Sequence, residues 1–340
     1  MPKSLVTQLN LPNIPTISIK IENKDSQIWH KTRVILELVS AIVNNANIVI
    51  NLNNEGPCAE SLGLYNLLDD ICDKFSYPKS KISLVTGNLI ESHSEYTIIK
   101  NPNMMYLEKT KKFKVNNEKQ FDNKFKHFGN FIGHGNLYRL RLAAYIYANH
   151  RPITVQTYHF DMSNNYHRSH IGLEDLLFNY GIDELPDAAT LLSDAPITLD
   201  LIDSYPILLP ETLNITKAYP NFFVEIANIT YFSGTTFYVD EKIWRPMLMK
   251  TPFMVQGSQN FILNLHQLGF KTFGNWWDEG YSEDPAGFQL VGIKENIDQL
   301  AQLSISELSA MYQDMQPVLE HNWNRMQEIS REDFLKIFVK

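Results

Sequence analysis

Hydrophobic and polar positions alternate along this chain in short blocks whose spacing changes between helical and extended. Residues 28–46 carry apolar side chains three and four positions apart, which is the spacing of one face of an α-helix. The β-branched run at 47–52 follows and predicts a buried strand. A helix over 60–74 and a strand over 81–86 come next, after short connections. Elements joined in this order are typical of a parallel α/β sheet.

The same alternation restarts after a polar, lysine-rich break at residues 108–124. It predicts strands over 127–132, 153–157, 222–229 and 252–255, and helices over 136–149, 171–180, 186–193, 240–249, 259–268 and from 304 onward. The break is expected to be a solvated linker or exposed helix, with a basic lip for an anionic acceptor as the alternative. We therefore predict an α/β protein of two Rossmann-like domains, 1–120 and 121–340, whose C-terminal helix can pack back on the first domain.

Composition narrows the class of protein. Hydrophobic residues make up 44% and charged residues 20%, which is ordinary for a globular chain. The 38 acidic and 30 basic residues give a net charge of −8, which disfavours general nucleic-acid binding. Two cysteines, Cys58 and Cys72, exclude a disulfide scaffold and are expected to be buried. We see no signal-peptide core and no apolar run of about 20 residues, so we expect no membrane span and a cytoplasmic location.

The strongest candidate site lies in the segment 238–257, YVDEKIWRPMLMKTPFMVQG. Asp240 is placed to cap a helix that carries Glu241, Lys242 and Arg245 away from its apolar side. The small-residue loop before it, which includes Thr236, would leave helix amides open to an anion. Two interpretations remain open: a diphosphate site in which Glu241 accepts from a sugar or ribose hydroxyl, and an exposed salt-bridged face.

Two further positions follow predicted strands. Gly257 ends the strand at 252–255 and precedes a helix, so its amide is a candidate phosphate contact. His159 follows the strand at 153–157 and is expected in a loop lining a cleft. With Asp161, His167 and His170 it forms a cluster of metal-binding residue types, but the spacing matches no defined metal site and we predict no metal.

At this point the sequence resembles a known family. The segments HFGNFIGHGNLYRLRLAAYIY, YVDEKIWRPMLMKTPFMVQGS and LHQLGFKTFGNWWDEGYSEDP resemble the donor-binding half of GT-B glycosyltransferases. They are similar to the α1,3-fucosyltransferase and exostosin type, in which a Thr-Glu-Lys-x-Trp-like segment opens a helix. They are also similar to glycosyltransferase-like proteins of phages and other large DNA viruses. The resemblance implies a GT-B fold, with two Rossmann-like domains facing a central cleft.

The resemblance also implies roles for basic residues. Lys242 and Arg245 are expected to face the diphosphate of a nucleotide sugar. Arg139 is the best match for the basic residue at the start of the helix after the strand 127–132, and Arg141 is a weaker candidate. One departure stands out: family members often carry an acid just after the strand that matches 222–229, where this chain has Ile229 and Thr230.

The fucosyltransferase type implies inversion by direct displacement, which needs a base on the acceptor hydroxyl. That base is expected in the N-terminal domain. Glu55 is the leading candidate because it follows a buried strand, where burial would raise its pKa toward the useful range. Glu91 and His93, after the next strand, are the alternates. A retaining enzyme would need no such base.

The predicted function is therefore sugar transfer from a nucleotide-diphosphate donor to a hydroxyl acceptor, without a cofactor. The chain contains no Asp-x-Asp pair, which argues against a metal-bound diphosphate of the GT-A kind. The acceptor is expected to be a glycan or polysaccharide, with a hydroxymethylated base of viral DNA as the second possibility. The alternative function is a catalytically degenerate sugar- or nucleotide-binding protein, which the departure at Ile229 and Thr230 favours.

Overall fold

The computed structural model describes residues 14–23, 28–52, 55–113, 118–133, 135–159, 182–199, 213–232 and 234–338. The strands are β1 Thr16–Ser18, β2 Ile21–Asn23, β3 Ile28–Trp29, β4 Ile48–Asn51, β5 Ile82–Thr86, β6 Thr97–Lys100, β7 Lys126–Ile132, β8 Thr154–Tyr158, β9 Phe222–Asn228 and β10 Phe253–Gln256. The helices are α1 Lys31–Val43, α2 Leu64–Phe75, α3 Met105–Thr110, α4 Leu137–His150, α5 Leu185–Asp194, α6 Leu213–Ala218, α7 Glu241–Leu248, α8 Phe261–Gln267, α9 Ala286–Ala301, α10 Ile305–Glu328 and α11 Arg331–Phe338. No helix in the described part of the chain is long and apolar enough to cross a membrane.

Two parallel four-stranded sheets with helices between their strands confirm the α/β class. The chain divides into two compact units. The first unit comprises residues 1–103, 233–238 and 331–340. Its parallel sheet has the order β1-β4-β5-β6, so successive strands are added in one direction. The β-branched run of β4 lies in its core, where Ile50 is fully buried. Residues from the C-terminal helix also belong here: the Lys100 ammonium donates to the Phe338 carbonyl, and Arg331 donates to Asn101 at 2.7 Å.

The second unit comprises residues 104–232 and 239–330, so the division at residue 103 differs from the predicted boundary at 120. The reason lies in the lysine-rich stretch, which is anchored in the second unit. The Lys119 ammonium is held by the carbonyls of Tyr219 and Phe222, at 2.7 and 2.6 Å, and by the Thr251 hydroxyl at 2.9 Å. Lys111 and Lys126 likewise donate to backbone carbonyls, at 2.7 and 2.6 Å. The stretch is therefore fastened at individual lysines, while residues 112, 118, 120 and 122–124 are exposed, as predicted for a solvated segment.

The parallel sheet of the second unit changes its winding direction. Its order is β10-β9-β7-β8, so the chain starts at β7, adds β8 on one side, and crosses to the other side for β9 and β10. Strands β7 and β9 are neighbours in this sheet, and Gly129 of β7 lies opposite Glu225 of β9. The Phe222 ring packs over Gly129, where a Cβ would fall only 2.6 Å from the ring. Open parallel sheets bind ligands at such a reversal, outside the carboxyl ends of the strands.

Helix α4 connects β7 to β8 and covers one side of this sheet. It begins as predicted at Asn136, whose side chain accepts the Arg139 amide at 2.9 Å. Apolar side chains of β7, α4, β8 and α5 form a closed core beneath it. The fully or nearly fully buried members are Ile132, Leu140, Ala143, Ala144, Tyr147, Tyr158, Ala188 and Leu191. This packing fixes where the first turn of α4 meets the strand ends.

We predict that Lys119→Ala lowers the free energy of unfolding by about 3 kcal/mol, because three buried acceptors lose their donor. Lys112→Ala is the matched control from the same stretch, since Lys112 is exposed. It should change stability by less than about 0.5 kcal/mol. Urea unfolding of both variants measures the difference. Equal stability of the two variants would contradict the anchoring of the stretch by Lys119.

Candidate functional site

The carboxyl ends of β7 and β9 carry the two segments on which the sequence resemblance depends. β7 leads into α4, and β9 leads through residues 229–240 into α7. The Arg139 guanidinium joins the two segments, because its Nη2 donates to the Ile229 carbonyl at 2.6 Å. The strands on either side of the winding reversal are thus linked by a buried arginine at the usual position of a ligand.

The Lys242 ammonium is held at the beginning of α7 by three groups. Its Nζ lies 3.1 Å from Asp240 Oδ2, 2.5 Å from Glu241 Oε1 and 3.5 Å from Thr230 Oγ1. Thr230 in turn donates to Asp240 Oδ2 at 2.8 Å. Asp240 and Glu241 are 1% and 4% exposed, so the predicted alternative of an exposed salt-bridged face is wrong. The cluster is a buried arrangement of opposite charges.

Asp240 caps α7 as predicted, and this changes how an anion would bind. Its Oδ1 accepts the Lys242 amide at 3.0 Å, and its carbonyl accepts the amides of Ile243 and Trp244. These first amides of the helix are therefore bonded within the chain. An anion at this place would meet the side chains of Lys242 and Arg139 rather than open helix amides. Thr236 belongs to the first unit and is buried there.

Burial and charge act differently on the members of the cluster. Burial opposes the charge of Lys242, but Asp240 and Glu241 outweigh it and raise the pKa of the ammonium. Burial is also the largest influence on both carboxyls. For Asp240 the nearby Lys242 and Thr230 overcome it and lower the pKa, whereas for Glu241 burial prevails over Lys242 and raises the pKa. Arg139 is close enough for its charge to act on Lys242.

Arg245 occupies a different place from the other predicted donor contacts. Its Nη2 forms an ion pair with Glu225 in the middle of β9, and its Nε donates to the Tyr219 hydroxyl at 2.5 Å. Tyr219 donates to the second oxygen of Glu225, and all three residues are at most 3% exposed. The structure thus places Arg245 in a buried triad that fastens α7 to β9. The segments that carry Arg139 and Lys242 meet at the Ile229–Thr230 step, whereas Arg245 makes its hydrogen bonds to Glu225 and Tyr219.

The remaining predicted contacts in the second unit have partners of their own. The Gly257 amide donates to Gln289 Oε1 at 3.1 Å, and a Cβ on Gly257 would lie 2.3 Å from Ile229. Arg141 forms a two-bond ion pair with Glu184, at 2.6 and 3.1 Å. His159 is buried directly after β8, where its amide donates to the Ile132 carbonyl at 3.1 Å. Asp161, His167 and His170 lie outside the described residues.

In the first unit, the candidate bases lie after β4 and β5. Glu55 is half-buried in the turn that follows β4. Glu91 is buried, and its carboxylate accepts from the Tyr65 hydroxyl at 2.8 Å, the Ala59 amide at 3.1 Å and the Asn88 amide group at 3.1 Å. Burial raises the pKa of Glu91 against the effect of these donors.

Asn88 and His93 show what surrounds Glu91. The Asn88 side chain donates to the Thr235 carbonyl at 2.8 Å and accepts the Phe237 amide at 2.9 Å, so it holds the segment 234–238 within the first unit. His93 Nδ1 accepts the amides of residues 95 and 96, at 3.1 and 3.4 Å. His93 Nδ1 is therefore engaged as an acceptor by backbone amides two and three residues away.

Sequence analysis missed several residues that the structure places at these sites. Thr230 donates a hydrogen bond to Asp240, and Tyr65 and Asn88 donate hydrogen bonds to Glu91. A signal existed for two of them, because Thr230 and Asn88 are polar residues that closely follow the ends of buried strands. Tyr65 carried no such signal, since it sits at the beginning of a helix far from Glu91 in sequence.

No family model, curated protein or solved structure matches this chain. Within the described ranges, no group of three or more His, Cys, Asp or Glu residues is arranged to hold a metal ion. The candidate site comprises Lys242 with its acidic neighbours Asp240 and Glu241, and Arg139 on the adjoining segment. A pair of cations at the ends of parallel strands suits a ligand with more than one negative charge.

We predict that Glu225→Ala lowers the free energy of unfolding by about 3–5 kcal/mol, because it leaves the Arg245 guanidinium buried without its counterion. Glu37→Ala is the control, since Glu37 pairs with Arg33 in an exposed i, i+4 arrangement. It should cost about 0.5 kcal/mol or less. The double variant Glu225→Leu/Arg245→Met should regain most of the loss in urea unfolding. No recovery would contradict a purely structural role for the pair.

We also predict a pH effect at Glu91. Its pKa in the folded protein is raised from 4.5, so the folded state binds more protons than the unfolded state just above that pH. Stability from this group is present below about 4.5 and is lost as pH rises through the raised pKa. The difference in unfolding free energy between Glu91→Gln and wild type should therefore grow in favour of the variant over this range. A difference independent of pH would refute the shift.

Proposed function

We propose that this chain is a glycosyltransferase of GT-B architecture that moves a sugar from a nucleotide-diphosphate donor to a hydroxyl acceptor. The observation that carries the proposal is the meeting of the Arg139 and Lys242 segments at the winding reversal of the second sheet. Arg139 donates to the Ile229 carbonyl, and the next residue, Thr230, donates to Asp240 beside the Lys242 ammonium. Sequence resemblance and geometry point to the same residues, because the segments that resemble donor-binding elements meet at this place. The two parallel four-stranded units are compatible with the Rossmann-like domains that the architecture requires.

The proposed reaction needs stabilisation of the leaving diphosphate. The acceptor oxygen attacks the anomeric carbon, the bond from that carbon to the diphosphate oxygen breaks, and the electron pair leaves with the nucleoside diphosphate. Lys242 and Arg139 would neutralise the charge that develops there, in a buried setting where such interactions are strong. Glu241 would accept hydrogen bonds from donor hydroxyls. Arg245 would act indirectly, by fixing α7 on β9.

The acceptor proton is assigned to Glu55 in this proposal. Glu91 has the raised pKa that suits a base, but both of its oxygens already accept hydrogen bonds from the chain. Its contacts with Tyr65, Ala59 and Asn88 favour a structural role. Glu55 is half-buried in the turn after β4, where a carboxylate is better placed to meet a substrate.

A glycan or polysaccharide acceptor is favoured over a hydroxymethylated base in DNA. The DNA alternative depended on a basic lip formed by the lysine-rich stretch. Lys111, Lys119 and Lys126 instead donate to groups of the protein itself. Fewer free ammonium groups then remain in this stretch to contact phosphates along a nucleic acid strand.

The second candidate is a protein that binds a nucleotide or sugar without catalysis. Its support is the chain's departure from the family pattern after β9, together with the structural engagement of Glu91. The two candidates differ in one measurable property: a binding protein retains nucleotide-sugar affinity but neither hydrolyses nor transfers the sugar.

A thermal-shift screen against UDP, GDP, CMP and TDP sugars tests the proposal first. A ligand at 100 times its dissociation constant stabilises a protein by about 2.7 kcal/mol, which is readily detected. Transfer is then measured with the donor that binds. Absence of stabilisation by every nucleotide sugar would overturn both the transferase and the binding protein.

For the donor so identified, we predict that Lys242→Gln reduces transfer about 100-fold, because the developing charge loses a preorganised partner. Glutamine still bonds with the neighbouring acids, so the fold should persist. Lys250→Gln is the control, since Lys250 follows the same helix and pairs with Glu320. It should transfer at the wild-type rate. Unchanged turnover by a folded Lys242→Gln protein would remove Lys242 from the site.

A further inference from the structure

The two carboxylates on the Lys242 ammonium differ in what else they hold. Asp240 uses both oxygens within the protein: Oδ1 accepts the Lys242 amide at 3.0 Å, and Oδ2 accepts the Thr230 hydroxyl at 2.8 Å as well as the ammonium at 3.1 Å. Glu241 contacts the ammonium through Oε1 at 2.5 Å and receives its own backbone amide. Removing Asp240 from the ammonium would break the helix cap, whereas moving Glu241 breaks little besides the ion pair.

The exposed fractions of the side chains also distinguish Glu241 from Asp240. The side chain of Lys242 is 14% exposed, that of Glu241 is 6% exposed and that of Asp240 is 1% exposed. Lys242 thus has the most accessible side chain of the cluster, and Asp240 has the least accessible one. The opposite directions of the two carboxyl pKa shifts agree, because Glu241 gives up its charge more readily than Asp240.

We propose that Glu241 is an internal counterion that a diphosphate displaces from Lys242, and that Asp240 with Thr230 is the fixed support that keeps the ammonium in position. This inference deepens the proposed function and rests on it for the identity of the ligand. Displacement releases the Glu241 carboxylate at the moment the diphosphate binds. The released carboxylate is then available for donor hydroxyls, so binding of the diphosphate prepares recognition of the sugar.

The inference gives two neighbouring acids opposite effects on anion affinity. If both were simply negative charges near the site, neutralising either would tighten binding. If Asp240 is instead a support, neutralising it lets the ammonium move and weakens binding despite the removed charge. The variants Glu241→Gln and Asp240→Asn keep the size of each side chain and one hydrogen-bonding oxygen. Asparagine is also a good helix cap.

The experiment is calorimetric titration of the full chain with inorganic pyrophosphate, which carries no sugar. Glu241→Gln should bind about tenfold more tightly than wild type, and Asp240→Asn about tenfold more weakly. Thr230→Val should weaken binding in the same direction as Asp240→Asn, and it serves in its place if that variant melts well below the wild type. Tightening by both acid variants, or weakening by Glu241→Gln, overturns the inference.

A second titration separates this inference from the proposed function. The nucleoside diphosphate and its sugar conjugate are compared in wild type and Glu241→Gln. The sugar should add affinity in wild type and add little in the variant. If pyrophosphate follows the expected pattern while no nucleotide sugar binds, the proposed function fails and the counterion role stands. If a nucleotide sugar binds but Glu241→Gln does not tighten pyrophosphate, the function stands and the counterion role is wrong.

Discussion

The reversal of winding between β7 and β9 is the constraint on which the candidate site depends. Strands that follow one another along the chain normally bring their connecting loops to successive positions along a sheet edge. Here the loops after β7 and β9 are brought side by side, although more than 80 residues separate the two strands. The bond from Arg139 to the Ile229 carbonyl crosses this junction. At such a reversal, the loops of two adjacent strands lead to opposite faces of the sheet. A crevice forms between them.

Helix α7 carries two cations with different roles. Arg245 is part of the protein's internal packing, and Lys242 is the residue that we propose contacts the ligand. Arg245 is one turn from Glu241 and is fastened to Glu225 and Tyr219 beneath the helix. This buried pair costs desolvation energy, and replacing it with apolar residues is often neutral for stability. Its value for the site is geometric, because it fixes the rotation of α7 about its axis. That rotation decides where the Lys242 side chain points, so the buried Arg245 pair helps to position the ammonium that we propose as a ligand contact.

The sequence predicted the long, periodic elements well and the buried charges poorly. The helix expected at 136–149 is Leu137–His150, and the strand expected at 222–229 is Phe222–Asn228. Helix α9 was missed although Leu290, Ile293 and Ile297 are buried at helical spacing. Near its start the pattern is reversed, because Phe288 is 69% exposed while Gln289 is 1% exposed. Strands such as β1, with three residues, are too short for alternation to be recognised. The lysine-rich stretch was expected to be solvated, and Arg245 was expected to face a diphosphate or, in the alternative, solvent. The partners of Lys119 and Arg245 are distant in sequence, and spacing along one helix cannot reveal a neighbour from another strand.

The proposed anion site lies in a chain whose net charge is acidic. The net charge of −8 describes the whole chain, whereas a buried site responds to the few charges within its own low-dielectric surroundings. Lys242 is paired there with Asp240 and Glu241, and such pairing offsets the cost of burying their charges. In the proposal, a diphosphate is taken up by exchange with a carboxylate that is already present. Glu241 makes fewer other hydrogen bonds than Asp240, so it is the carboxylate that we propose to leave.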